Sequence, residues 1–384
     1  MTGTYTGKVG VQQRVLARYR VPLFDQLALE LPGGLEVFAG EPRPEEHIVT
    51  GTGIPNATYV EARNRHIGRG PLYFCWQRGY KRWLKSANLE ALIVAADPRI
   101  LSTYLAIRYM HSRRRPVIGW GLGTLNESSG RVGLSVLSRL RSRFYRSFDA
   151  VIAYSSKAAD DYRRAGIPDE RIFIAHNAVS TEAADAARTR FPSDGEEVRK
   201  WRSDHGLSGM TLICVGRLIS AKRLDLLIEA CRSIGDGCEL LIVGDGPERA
   251  RLERIAAKRF PSTTFLGHQE GDALSIAFAS ADVFVLPGTG GLAIFEAMAY
   301  GKPVIVGQGD GTEADLVREG RNGRLVRPDD LGELTGAIRK YVGHPEMIVS
   351  EGRESRKIMD EEASIERMVL TFVSALKYAV EANT

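Results

Sequence analysis

Long apolar runs are missing from this 384-residue chain. Nothing approaches the ~20 consecutive apolar residues of a membrane-spanning helix, and no N-terminal segment joins a basic start to an apolar core of ~7–15 residues. A protein that is neither secreted nor membrane-spanning is expected. Cysteine is scarce: Cys75, Cys214, Cys231 and Cys238 have no CxxC or zinc-like spacing. Three of them sit in apolar runs, where buried thiols are common, so a reducing cytoplasm is implied. The sequence pI is near 9.0, yet no RNP, zinc-finger or helix-turn-helix pattern accompanies it, which argues against nucleic acid as the partner and for a phosphate-bearing or anionic-lipid one. The glycines of Gly244-Asp245-Gly246-Pro247 lack GxGxxG spacing, so a nicotinamide dinucleotide site has little support.

What is present is enough chain for two domains, since 384 residues exceed the ~100–200 of a typical one. Charge divides unevenly between the halves. Through Asp185 there are 26 Lys+Arg against 17 Asp+Glu, net +9, and the remainder carries 26 against 30, net −4, which sums to the overall +5.

The chain is organised around Ala281 to Val306, ADVFVLPGTGGLAIFEAMAYGKPVIV. Val283 to Leu286 reads as a short buried strand ended by Pro287. Gly288-Thr289-Gly290-Gly291 has almost no side chains, so its backbone N–H groups can approach a ligand, and a helix opens at Leu292 with its N-terminus facing whatever the loop holds. Gly301-Lys302-Pro303 closes that helix before a second buried strand, Val304 to Val306. One carboxylate, Glu296, lies about one turn inside the helix, within reach of hydroxyl groups of a ligand whose phosphates sit at the loop. A solvated helix glutamate is the alternative.

A similar strand-loop-helix occupies Thr211 to Ile234: the strand Thr211 to Val215, the loop Gly216-Arg217-Leu218-Ile219-Ser220-Ala221-Lys222-Arg223, and a helix from Leu224. Glu239 to Val243 is a further strand, and Asp329-Asp330 caps a helix beginning at Leu331.

The Ala281–Val306 stretch resembles the donor-binding signature of the retaining glycosyltransferases of family 4. That resemblance implies an α/β chain of the GT-B class, two Rossmann-like doubly wound domains facing across a cleft. It implies a nucleoside diphosphate sugar as donor substrate, a carbohydrate or lipid-linked acceptor, no cofactor and no metal. No DxD motif occurs, and cations can do what a metal would. By the same resemblance Arg217 and Lys222 grip the donor diphosphate and stabilise the charge on the departing group. Glu296 matches the glutamate beside the ribose, while Gly216, Gly290, Gly291 and Leu292 line the donor loops. Gly267 and His268, in Thr264-Phe265-Leu266-Gly267-His268, match the segment near the nucleobase. Gly288 departs from the pattern, for relatives carry there a first glutamate near the transferred sugar. The Trp120-Gly121-Leu122-Gly123 segment lacks the histidine that relatives carry near the transferred sugar, and His66 and His111 are weak substitutes.

The first half yields strands at Val11 to Leu16, Leu89 to Ala95, Pro116 to Gly119, Asp149 to Tyr154 and Ile172 to Ala175. Helices follow Pro22, Arg99 and Ser155. Tyr19 and Arg20, at the end of the first strand, are candidate cleft residues, with an ordinary exposed loop as the alternative. Gly40 to Arg69 reads as a long loop. Arg131 to Phe148 is a basic amphipathic helix, which suggests attachment to an anionic membrane surface through Leu137, Leu140 and Phe144, with a core-packed helix as the alternative. His176-Asn177-Ala178-Val179 resembles the family's exit from the first domain, and Ser180 to Asp204 reads as a polar linker. The expected division is an acceptor-side domain 1–180, a linker 181–208, a donor domain 209–364 and a helix 365–384 that in relatives returns towards the first domain. The function expected is retaining sugar transfer for polysaccharide or glycolipid synthesis. A sugar-nucleotide epimerase and a non-catalytic sugar-nucleotide-binding subunit are the competing readings.

Overall fold

The computed structural model describes residues 5–46, 48–123, 136–309 and 311–383, without the side chains of 71, 136 and 137. The chain forms two compact units: Met1–Asn177 with Ile365–Thr384, and Ala178–Ser364.

The first unit runs β1 (Val9–Val15), α1 (Val21–Leu29), β2 (Leu35–Gly40), β3 (Thr58–Ile67), β4 (Phe74–Arg78), α2 (Tyr80–Ala87) and β5 (Ala91–Ala95). It continues with α3 (Leu101–His111), β6 (Val117–Gly121), α4 (Val136–Arg146), β7 (Ala150–Ala153), α5 (Ser156–Arg164) and β8 (Ile172–Ile174). The second unit opens with α6 (Glu182–Arg190), α7 (Glu196–Asp204), β9 (Met210–Val215), α8 (Leu224–Ile234), β10 (Cys238–Val243), α9 (Arg249–Arg259) and β11 (Thr263–Gly267). It ends with α10 (Gly271–Ser280), β12 (Val283–Leu286), α11 (Leu292–Ala299), β13 (Val304–Gly307), α12 (Thr312–Leu316), β14 (Gly323–Val326), α13 (Leu331–Gly343) and α14 (Glu346–Glu362), and α15 (Ile365–Glu381) belongs to the first unit.

The first sheet has the order β4-β3-β2-β1-β5-β6-β7-β8, parallel except where β4 runs antiparallel to β3. The second is wholly parallel, β11-β10-β9-β12-β13-β14. Central strands buried on both faces explain their continuous Val/Ile/Leu runs: Val283, Phe284, Val285 and Leu286 are all inaccessible. Ser155 and Asp330 cap α5 and α13, accepting from the backbone N–H of Ala158 and Glu333. In the first unit α15 lies on α1 and β7, with Phe372 edge-on to Trp120 at 4.9 Å.

Three expectations are corrected. The Gly40–Arg69 stretch contains the ten-residue strand β3. Its inward side has only Val60 and Ala62 as apolar contacts with the core and is completed by amides: Asn64 donates to Arg14 O at 2.7 Å, and Gln77 donates to Asn64 Oδ1 and Gln13 O at 3.0 Å each. A strand secured this way has little hydrophobic alternation to read. Ser180–Asp204 is two helices rather than a linker, because Ala187, Phe191 and Val198 bury a small apolar face with Ile276 and Ala279 of α10. The apolar side of α4 is core in part: Phe144 and Phe148 are buried, 5.0 Å apart ring to ring, while Leu140 is exposed. Phe144 is therefore unavailable to a membrane. Residues 131–135 of the expected helix lie outside the described residues. No helix among the described residues is long and apolar enough to cross a membrane.

Candidate functional site

The second sheet reverses its winding between β9 and β12: chain order runs outward to β11 on one side and to β14 on the other. In open α/β sheets the loops at the carboxyl ends of such a pair enclose the ligand crevice. Here those loops are Gly216–Arg223 after β9 and Pro287–Gly291 after β12, the two glycine loops singled out in the sequence.

They are joined tightly. Thr289 N donates to Ala221 O at 3.0 Å, and the Lys222 ammonium donates to Thr289 O at 2.7 Å and Gly290 O at 2.6 Å. Ser220–Lys222 forms a short 3-10 turn, and Arg223 takes a left-handed conformation to enter α8. Lys222 therefore fixes the loop facing it, while Arg217 is exposed and its guanidinium has no partner among the described residues.

Gly291, with φ of 122°, is the N-cap of α11, and no side chain caps the helix. Ile294 N donates back to Gly291 O at 3.2 Å, and the N–H groups of Leu292 and Ala293 are left for an anion, in the direction favoured by the helix dipole. One turn in, Glu296 is largely buried and its carboxyl has no hydrogen-bond partner among the described residues. Burial pushes its pKa up to about 7. An unpartnered, half-protonated carboxyl beside a ligand loop marks a functional position better than a structural one.

The carboxyl ends of β10 and β11 adjoin these loops. Gly216 N donates to Val243 O at 2.9 Å, and Gly244 N to Gly267 O at 2.7 Å. A β-carbon on Gly244 would lie 2.9 Å from the carbonyl carbon of Gly216, so only glycine permits this approach. His268, next to Gly267, is exposed with Nε2 3.2 Å from Glu270. The structure thus sets Gly216, Arg217, Lys222, Gly290, Gly291, Leu292 and Glu296 around one pair of strand ends, with Gly267 and His268 two strands away along the same edge.

Sequence reading missed Glu313. It is buried on α12, accepts from the backbone N–H of Gly309 and Gly311, and comes within 3.9 Å of where a Gly290 β-carbon would stand. The available signal was an acid two residues after a glycine N-cap, Gly311, in the loop beyond β13.

In the first unit Arg20 is pinned, not exposed: it donates to Tyr154 Oη at 2.6 Å and lies 4.1 Å over the Trp120 ring. Tyr19 remains open. His66 Nδ1 is 2.9 Å from Tyr73 Oη, with its pKa lowered by burial and by Arg14, and His111 Nε2 is 2.9 Å from Asp149.

Residues 197–364 match the family model described as Glycosyl transferases group 1, and residues 35–183 match Glycosyltransferase Family 4. Sulfoquinovosyl transferase SQD2 of Arabidopsis thaliana is 32% identical over 158 residues, 40% of this chain and 29% of that protein. A GDP-mannose-dependent alpha-mannosyltransferase of Mycolicibacterium smegmatis is 41% identical over 118 residues, 30% of each chain. The match spans less than a third of either curated relative's length. Among solved structures, Anabaena Alr3699/HepE in complex with UDP superposes with a TM-score of 0.72 at 16% identity, covering 97% of this chain and 100% of that one.

Proposed function

The chain belongs to glycosyltransferase family 4 and has the GT-B fold, and from that premise we propose that it moves a sugar from a nucleoside diphosphate donor to an acceptor hydroxyl. The observation that carries the reading is Glu296, unpartnered and poised near neutrality one turn inside the uncapped helix α11. Its carboxylate accepts the paired hydroxyls of a ribose, while the N–H groups at Gly291–Leu292 and the free Arg217 guanidinium take the diphosphate.

Cleavage of the bond between the anomeric carbon and the diphosphate oxygen sends its electron pair to that oxygen. Arg217, helped by Lys222 where it borders the loop, stabilises the growing charge. The acceptor hydroxyl attacks from the face the diphosphate leaves and gives its proton to the leaving phosphate, so configuration is retained. This chemistry asks for no metal and no protein base.

Incubation with nucleoside diphosphate sugars, with and without carbohydrate or lipid-linked acceptors, tests the proposal. Glycosylated acceptor supports it. A changed sugar nucleotide formed without acceptor selects the epimerase, and binding without turnover selects a non-catalytic subunit, which the glycine at 288 would suit.

We further propose that the protein works at the inner face of the cell membrane on acceptors for polysaccharide or glycolipid synthesis. The supporting surface is the β3–β4 hairpin rather than α4. Register pairs Arg63 with Arg78, Arg65 with Trp76 and Ile67 with Phe74, all six exposed. Leu72 is 75% exposed at the turn, and Arg69, Lys81 and Arg82 flank the patch. Like charges placed directly opposite destabilise a strand pair, whereas arginines around exposed Ile, Phe and Trp fit an anionic headgroup layer.

A further inference from the structure

We propose that the second unit carries an anion site at the amino ends of β9, β12 and β13, opposite the glycine loops, built for a compact phosphate-bearing small molecule. A cavity of about 780 Å³ opens there between α6, α10 and α14. Five cations line it: Arg188, Arg202, Lys302, Arg353 and Arg356. Two acids, Asp194 and Asp282, oppose them.

Part of this charge is already engaged. Arg202 donates to Ser280 O and Gly209 O, both at 2.6 Å. Arg356 is paired with Asp185 at 2.6 Å and Asp360 at 2.8 Å, and Asp282 accepts from Thr211 N at 2.7 Å. Arg188 and Arg353 are exposed and have no partner among the described residues.

Lys302 stands at the inner end, its ammonium donating to Ala281 O at 2.6 Å. Burial lowers its pKa to about 8; Asp282 pulls the other way, and Arg202 and Arg188 lower it further. The remaining charges around the cavity are Arg353 and Arg356 on α14 and Asp194 after α6, with the Tyr300 hydroxyl at the end of α11. Positive charge thus exceeds local carboxylate in a concavity floored by Phe191 and Tyr300. Unpaired guanidiniums take phosphate oxygens in bidentate fashion, and a buried ammonium supplies a point charge behind them. A concave wall of cations selects a small molecule over an extended polyanion.

Calorimetric titration of the full chain with inorganic pyrophosphate at about pH 7 tests the site. Pyrophosphate also suits the glycine loops, so two binding events are expected: the double variant Arg188→Gln, Arg353→Gln should weaken one of them roughly tenfold or more for each arginine lost, and that event is the one Arg217→Ala keeps. Both arginines are surface residues without partners, and thermal unfolding checks that the variant is intact. Failure of the parent to bind, equal affinity in the double variant, or loss of binding in Arg217→Ala overturns the proposal. A second titration uses sulfate, which stays fully ionised between about pH 7 and about pH 9. Its affinity should fall across that interval as Lys302 loses its proton. Equal affinity at both ends overturns the place of Lys302 in the site.

Discussion

Lys222 lies directly on Gly288: a β-carbon at 288 would stand 2.5 Å from the Lys222 carbonyl carbon and 2.7 Å from its α-carbon. Position 288 is where the glutamate of the resembled signature would fall, so the departure involves more than one missing carboxyl. The loop after β9 fills the space that side chain would need. Loop and glycine form one unit, which the Lys222 ammonium closes by bonding Thr289 O and Gly290 O.

Restoring a side chain there should therefore harm the protein. Gly288→Ala is expected to lower stability by about 1–3 kcal/mol, the usual cost of overpacking, and Gly288→Glu at least as much. Urea denaturation midpoints measure this. An unchanged midpoint would mean that the Lys222 loop yields freely.

Arg217 and Lys222 should separate by mechanism. Arg217→Ala is expected to lower sugar-transfer turnover by ~10²-fold or more, the scale of losing one transition-state electrostatic contact, with no change in melting temperature. Lys222→Ala should lower both, since Lys222 also ties two loops together. Steady-state kinetics beside thermal unfolding reads the two effects, and full turnover in either variant removes that residue from the diphosphate.

Glu296→Gln should weaken nucleoside diphosphate binding by about 1.5–3 kcal/mol, the value of a bond to a charged acceptor, while stabilising the fold at high pH. Its pKa rises from 4.5 to about 7 in the folded state. The folded state thus favours the protonated form, and that contribution is complete below about pH 4.5 and lost as pH rises through about 7. At about pH 8 the glutamine variant should exceed the parent by on the order of 2–3 kcal/mol, and at about pH 4 the two should match. Parallel denaturation curves at both pH values would contradict the buried-carboxyl account, and equal affinity by calorimetry would remove Glu296 from the ligand.

Membrane attachment should depend on the hairpin. An anionic leaflet attracts each basic residue near its surface by ~1 kcal/mol. Replacing Arg63, Arg65 and Arg78 by glutamine should abolish sedimentation with anionic vesicles at low salt, while the same change at Arg139, Arg143 and Arg146 of α4 has the smaller effect. A parent protein that never sediments ends the membrane reading, and a dominant α4 effect moves the contact there.

The sequence by itself determined the second unit's strands and the glycine loops between them. Val283–Leu286, Leu224–Ile234 and the start of α11 at Leu292 coincide with their sequence boundaries, because buried parallel strands and helix ends announce themselves through short-range apolar runs, glycine and proline. Glu296 was legible for the same reason, as the sole carboxylate in an apolar helix. Tertiary structure alone decided what depended on distant partners. Strand β3 is tied down by the amide of Asn64, which bonds Arg14 O and Gln77, Arg20 is held by Trp120 and Tyr154, and α6 and α7 take their apolar face from α10. Only the fold could set Lys222 upon Gly288, since residues 66 positions apart meet there through strands β9 and β12 pairing side by side.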